Sequence, residues 1–172
     1  MSWLVLALIG PVLGWIAVQD FKERRISLLA LFLLFGLGIV YAGFVFQWKL
    51  VPEKILANSL FSTVILVSGT LLVKIRRPRD RVSSFIGAGD FLFLLAISPL
   101  FSFGPFLVFL NTSIIITLIL YGILRLFNEV PKNGTIPLAG VFAICLGIYI
   151  SLHQLLHIDL LNDFGWFYTR IL

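Results

Sequence analysis

Long apolar stretches separated by short polar connections dominate the pattern of hydrophobic and polar positions along the chain. A helix needs about 20 apolar residues to cross a bilayer. The stretch from 83 to 111 is too long for one span and contains Ser98-Pro99 and Phe103-Gly104-Pro105, where proline and glycine interrupt helices. We therefore divide it in two. The pattern predicts an all-α protein of six transmembrane helices in a single domain, 1–172, with spans at about 2–19, 26–46, 55–73, 84–101, 105–127 and 136–152.

The composition excludes a soluble enzyme. Hydrophobic residues make up 60% of the chain and charged residues 12%, whereas soluble domains have roughly 45–50% and about 25%. Too little charge remains to cover a water-facing surface. The single cysteine, Cys145, excludes a disulfide framework and a cysteine metal cluster. In a membrane protein the net charge of +5 reports orientation before it suggests nucleic acid, so no nucleic-acid partner is expected.

Lysine and arginine are distributed unequally between the two sides of the predicted bundle. The connections after the first, third and fifth spans hold ten of the thirteen: Lys22, Arg24, Arg25, Lys74, Arg76, Arg77, Arg79, Arg81, Arg125 and Lys132. The positive-inside rule predicts that these connections are cytoplasmic and that both termini lie outside. The first stretch has no cleavage site for a signal peptidase, so we expect a retained span. The aromatic residues at 166–168 predict a short interfacial helix at the C-terminus.

Two of the eight acidic residues, Asp20 and Asp90, stand at the edges of predicted spans. An ionisable group beside hydrocarbon costs at least about 2.5–3.5 kcal/mol on insertion scales, which makes it a candidate functional group. Each has a simpler interpretation: Asp20 as an interfacial charge, and Asp90 as the cap of a helix that begins there. However, the predicted topology puts both at the cytoplasmic face, where they can meet if the first and fourth helices pack side by side.

A close pair of carboxylates can perform hydrolysis without a metal or an organic cofactor. Two neighbouring carboxylates cannot both ionise cheaply, so the pair shares a proton. One member can then act as a general base on water while the other polarises a peptide carbonyl. The glycines before Asp90, Gly87 and Gly89, would let backbone approach closely or let the helix start unwound beside an extended substrate. His153 and His157 have a spacing that can suit a metal, but no third ligand completes a site, so no metal is expected.

The motifs around these residues resemble those of the type IV prepilin peptidases and their archaeal preflagellin relatives, membrane aspartic proteases of the GxGD type. Gly87-Ala88-Gly89-Asp90 matches the GxGD motif. The segment from Asp20 to Ser27 resembles the family's other aspartate motif, and Ile136-Pro137-Leu138-Ala139 resembles the proline-bearing start of its last helix. The chain differs at Leu92, where members often have lysine, and at Ser27, where many have proline.

The resemblance implies a function and a location. Asp20 and Asp90 would be the catalytic pair, with Gly87 and Gly89 supporting the motif. They would remove the short basic leader from prepilin, pseudopilin or flagellin-like precursors at the cytoplasmic face of a prokaryotic inner membrane, in contact with its lipids. The chain contains no tetracysteine domain, so the resemblance implies the minimal, peptidase-only form without methyltransferase activity.

Two other classes of function fit an apolar bundle with two carboxylates. The protein could be a small proton-coupled carrier, in which Asp20 and Asp90 relay protons. It could also be a catalytically silent membrane scaffold, including an inactive peptidase homologue. Replacement of either aspartate by asparagine distinguishes the three classes. A peptidase loses cleavage, a carrier changes flux without a cleaved product, and a scaffold tolerates both changes.

Overall fold

The structure, a computed structural model, describes residues 2–46, 48–76, 87–126, 137–156 and 161, which contain α-helices and no strand. Five of the helices described there are long and apolar enough to cross a membrane, and a sixth is shorter. The predicted all-helical membrane fold is therefore confirmed. The helices are α1 (Ser2–Glu23), α2 (Leu28–Phe46), α3 (Val51–Arg76), α4 (Ala88–Ile97), α5 (Phe103–Leu126) and α6 (Leu138–Leu156).

Some sequence predictions concern residues outside those that the structure describes. They include the short C-terminal helix around 166–168, His157, and the basic residues Arg77, Arg79, Arg81 and Lys132 of the connections.

The helix predicted at 84–101 is shorter than a full span in the structure. Its described part, α4, has 10 residues and continues into a 3-10 turn, Ser98–Leu100. Ten residues of α-helix rise about 15 Å, half of the roughly 30 Å hydrocarbon core. Pro99 stands inside the 3-10 turn, and Phe101 has an extended backbone. The α-helix thus ends at Ile97, before the predicted end of the span at 101, because Pro99 in the Ser98-Pro99 interruption cannot continue the hydrogen-bond ladder of an α-helix.

The short helix α4 lies inside the bundle. It contacts α2, α3 and α6, whereas α1 packs mainly on α2 and α6. Its core-facing side chains are buried: Phe93, Leu94, Ala96 and Ile97. Many large apolar side chains on the outer helices are exposed, among them Leu4, Phe32, Leu56 and Leu118, which is the pattern expected of a surface that faces lipid.

The break between α4 and α5 is stabilised by a side chain from α3. Asn58 is fully buried, and its Nδ2 donates hydrogen bonds to the carbonyl oxygens of Ser98 at 2.8 Å and Phe101 at 3.0 Å. A carbonyl at an interrupted helix has lost its intrahelical donor, and lipid offers no replacement. Asn58 therefore makes a helix end possible inside the bundle.

We expect Asn58→Leu to destabilise the protein, because two buried carbonyl groups lose their donor. Each unsatisfied group costs about 1–3 kcal/mol. Thermal unfolding in detergent measures the effect. The matched control is Asn111→Leu, since Asn111 is exposed and donates within its own helix, to the Leu107 carbonyl. Equal unfolding temperatures for the two variants would contradict the assigned role of Asn58.

The predicted orientation can be tested by cysteine labelling of intact cells. In a Cys145→Ser background, we expect a membrane-impermeant maleimide to label the Lys49→Cys variant directly. The Glu23→Cys variant should react only after permeabilisation, because Glu23 lies among the basic residues that are predicted to be cytoplasmic. Both positions are exposed in the structure. The reverse labelling pattern would show that the termini are cytoplasmic.

Candidate active site

Asp20 lies in the last turn of α1, with its side chain turned into the bundle. The helix continues to Glu23, beyond the predicted end of the span at 19. The side chain of Asp20 is 7% exposed. The helix ends where Arg24 adopts a left-handed backbone conformation, with a φ of 55°, and donates its amide hydrogen to the Asp20 carbonyl at 3.2 Å. A merely interfacial charge would be exposed to water, so this interpretation of Asp20 does not account for its burial.

Asp90 is the third residue of α4, not the cap of a helix that begins at Asp90. The helix begins at Ala88, and Gly87 is the residue at its N-cap. From the third position the carboxylate reaches back, and Asp90 Oδ2 accepts a hydrogen bond from the Gly87 amide at 3.1 Å. This bond occupies one carboxylate oxygen and leaves the other available to a different element of the fold.

The two carboxylates meet at the start of α6. Asp90 Oδ1 accepts a hydrogen bond from the Ala139 amide at 3.0 Å, and Asp20 Oδ2 accepts one from the Gly140 amide at 2.6 Å. Consecutive amides therefore bind residues that are 70 positions apart in the sequence. Direct packing of α1 on α4 was the expected route to this pairing. Instead, α6 lies against both helices and brings the carboxylates together.

The amides in the first turn of α6 require hydrogen-bond acceptors from outside their own helix. The first four amides of an α-helix have no intrahelical partner, and hydrocarbon supplies none. The partial positive charge of a helix N-terminus also favours carboxylates. Pro137, which precedes the helix, is buried, and its carbonyl accepts the first helical bond, from Val141 at 3.1 Å. The aspartates thus act as the caps of α6, although they belong to other helices.

The two glycines of the motif occupy positions of close approach. A Cβ at Gly87 would lie 3.2 Å from Asp90 Oδ2, and a Cβ at Gly89 would lie 3.2 Å from Ile26 Cδ1. Gly87 has an ordinary extended backbone, with φ of −71° and ψ of 142°. At Gly87 it is therefore the available space, and not an unusual φ, that favours glycine.

The connection between α1 and α2 is tied to α1 by a side chain. The amide of Ser27 donates a hydrogen bond to Gln19 Oε1 at 3.0 Å. This bond holds the loop in the conformation that places Ile26 against Gly89. Proline at position 27 would carry no amide hydrogen and could not make the bond. This chain therefore fixes the loop through Gln19.

The arrangement is suited to acid–base chemistry by carboxylates. The two carboxylates are bound to adjacent amides, and neighbouring carboxylates can share a proton, which gives one base and one acid at the same site. Among the residues that the structure describes, no group of three or more His, Cys, Asp and Glu side chains could hold a metal ion.

Sequence reasoning did not identify the amides of Ala139 and Gly140 as part of this site. The segment from Ile136 to Ala139 was matched to the family motif by its proline, but no role was predicted for it. The sequence does contain a relevant pattern: Pro137, with Ala139 and Gly140 shortly after it, begins an apolar helix on the face where the two carboxylates are predicted. Backbone donors at such a helix start are the natural partners of those carboxylates.

Comparison with known proteins gives one match. The model of the type IV leader peptidase family matches residues 7–123, which is more than half of the chain. The matched region includes both Asp20 and Asp90 and ends before α6. No curated protein and no solved structure matches the chain.

We expect Gln19→Leu to loosen the connection between α1 and α2, because the Ser27 amide loses its acceptor. Hydrogen–deuterium exchange of the peptide that covers residues 24–31 should become faster in detergent-solubilised protein. Gln154→Leu, which makes the same change near the far end of α6, is the control. Unchanged exchange in the Gln19 variant would contradict the proposed role of the hydrogen bond from the Ser27 amide to Gln19.

Proposed function

Since the chain belongs to the type IV leader peptidase family, we propose that it is an aspartic endopeptidase in which Asp20 and Asp90 activate a water molecule. Family membership makes the protein a leader-peptidase-type protease of multi-pass membrane character. The proposal adds the catalytic class and the two residues. The substrate class is that of prepilin, pseudopilin or flagellin-like precursors with a short basic leader.

One observation carries the assignment of the catalytic pair. The amides of Ala139 and Gly140 bind one oxygen each of Asp90 and Asp20, at 3.0 and 2.6 Å. The residues come from three helices and meet at a single point. Neither an interfacial charge nor a local helix cap requires such convergence. Two neighbouring carboxylates that share one proton can, however, supply both the acid and the base of peptide hydrolysis without a metal.

The proposed mechanism follows from one proton shared by two carboxylates. The ionised member takes a proton from water as the water oxygen attacks the scissile carbonyl carbon. The protonated member donates its proton to the carbonyl oxygen, which gives a neutral tetrahedral diol. The protonated base then donates to the amide nitrogen while the carbon–nitrogen bond breaks. The other carboxylate accepts the diol proton, so the products are an acid and an amine and the pair again holds one proton.

The position of the pair suits a substrate that is anchored in the membrane. Asp20 lies in the last turn of α1, and Asp90 and Gly140 lie in the first turns of α4 and α6, so on the predicted orientation all three are at the cytoplasmic face. A peptide bond at this level separates a leader in the cytoplasm from an apolar segment in the bilayer. We therefore propose cleavage at the cytoplasmic face of a prokaryotic inner membrane.

The test is a cleavage assay with purified protein in liposomes and a precursor that has a basic leader, a glycine and an apolar segment. Asp20→Asn and Asp90→Asn should each lower the rate by at least the 10²–10⁴-fold that a general acid or base contributes. Glu23→Gln is the matched control, because Glu23 is an exposed carboxylate in the last turn of the same helix as Asp20. It should retain the rate of the wild type.

Each alternative class has its own outcome in this assay. Cleavage that survives in a folded Asp20→Asn or Asp90→Asn variant overturns the two-carboxylate mechanism. A wild-type protein that cleaves none of several precursors and carries no proton flux is a scaffold. Proton flux into liposomes that depends on both aspartates, without any cleaved product, identifies a carrier.

A further inference from the structure

Gly140 stands where α6 comes closest to the end of α1. A Cβ at this position would lie 3.1 Å from Asp20 Oδ2, and 3.0 and 3.1 Å from the ring atoms Cε2 and Cδ2 of Phe21. Contacts this short are accommodated only if the neighbouring atoms move by a few tenths of an ångström. The amide of the same residue donates the 2.6 Å hydrogen bond to Asp20 Oδ2. Gly140 therefore donates a hydrogen bond to the Asp20 carboxylate and, because it has no side chain, also leaves the space that the carboxylate occupies.

Another glycine of the same helix, Gly147, has a different environment. A Cβ at Gly147 would meet no atom of the described residues within 4 Å. The requirement for glycine at 140 is therefore a property of that position, and not of α6 as a whole.

We propose that Gly140 is a positioning residue of the reaction: its missing side chain sets how far Asp20 can advance onto the first turn of α6, and hence how close it lies to Asp90. Ala139 and Gly140 are adjacent, and Ala139 already holds Asp90 Oδ1. The separation between the carboxylates is therefore fixed by the depth to which Asp20 reaches its own amide. This inference rests on the proposed function for its catalytic consequence, although the geometry can be tested separately.

A side chain at 140 acts on Asp20 in two ways. It occupies the space beside Oδ2, so the carboxylate must retreat from the amide and from Asp90. It also weakens a hydrogen bond that favours the ionised form. The pair then shares its proton less effectively, and the atoms that attack the substrate are displaced. Small displacements matter, since a misplacement of about 1 Å can cost about 10²-fold in rate.

Contact with Phe21 offers a purely structural explanation, which a variant can separate from the proposed one. The ring of Phe21 lies against Gly140 but takes no part in the proposed chemistry. If a methyl group at 140 acts only by displacing this ring, Phe21→Ala relieves the problem. If it acts on the carboxylate, the contact with Asp20 Oδ2 persists in the Phe21→Ala background, and so does the defect.

The experiment compares Gly140→Ala, Gly147→Ala, Phe21→Ala and the double variant Phe21→Ala/Gly140→Ala in the liposome cleavage assay. We expect Gly140→Ala to lower kcat about 3- to 10-fold with KM unchanged, because the displaced carboxylate acts in the transition state and not in the binding of the ground state. Gly147→Ala should keep the kcat of the wild type. The Gly140→Ala defect should be equally large with and without Phe21.

Three results in this assay overturn the proposal. They are full activity in Gly140→Ala, recovery of kcat in the double variant, and an equal defect in Gly147→Ala.

A second measurement reads the geometry without cleavage. In protein labelled with ¹⁵N-glycine, the amide proton of Gly140 should resonate downfield and move upfield in Asp20→Ala, which removes its acceptor. It should stay in place in Glu23→Ala. A Gly140 signal that ignores the loss of Asp20 overturns the inference whatever the cleavage assay gives. A signal that responds in a wild-type protein without cleavage activity supports the positioning of Asp20 and overturns the proposed function alone.

Discussion

The hydrogen bonds from the first turn of α6 to two carboxylates are the interaction on which the arrangement of this bundle depends. The amides of Ala139 and Gly140 need acceptors that neither their own helix nor lipid supplies, and Asp90 and Asp20 need donors for the same reason. The amides are the donors that the carboxylates need, and the carboxylates are the acceptors that the amides need. Because the aspartates belong to α4 and α1, the bonds also fix the relative positions of three helices. The hydrogen bonds that bring the two carboxylates together for the proposed chemistry are thus the same bonds that hold the three helices in place.

The length of α4 follows from a second polar contact, at its other end. The chain that follows α4 has carbonyl groups without an intrahelical donor, and the buried side-chain amide of Asn58 donates to two of them, those of Ser98 and Phe101. The short helix can therefore end inside the bundle, packed on three neighbours, while Asp90 remains at its beginning. Backbone groups that an unbroken helix would satisfy locally are satisfied here by side chains and backbone from distant parts of the sequence.

Much of this architecture follows from hydropathy, and the rest depends on atoms that hydropathy does not describe. Apolar runs predict the membrane helices, and Ser98-Pro99 predicts the break after α4, because both signals are local. Asp20 and Asp90 stand out since charge is costly beside hydrocarbon. Their meeting point could not be predicted, because it consists of backbone amides, which every residue except proline carries. The space at Gly140 and the bond from Ser27 to Gln19 likewise depend on contacts between separate segments.

The use of main-chain donors has a consequence for the genetics of this protein. An amide hydrogen survives the replacement of its side chain, so exchanging Ala139 for another residue leaves the donor to Asp90 in place. A mutational scan therefore scores the aspartates directly but does not test the amides that hold them. The exception is proline, which deletes the donor. Intolerance to proline at 139 and 140, in the first turn of a helix, would be the imprint that this anchoring leaves on sequence variation.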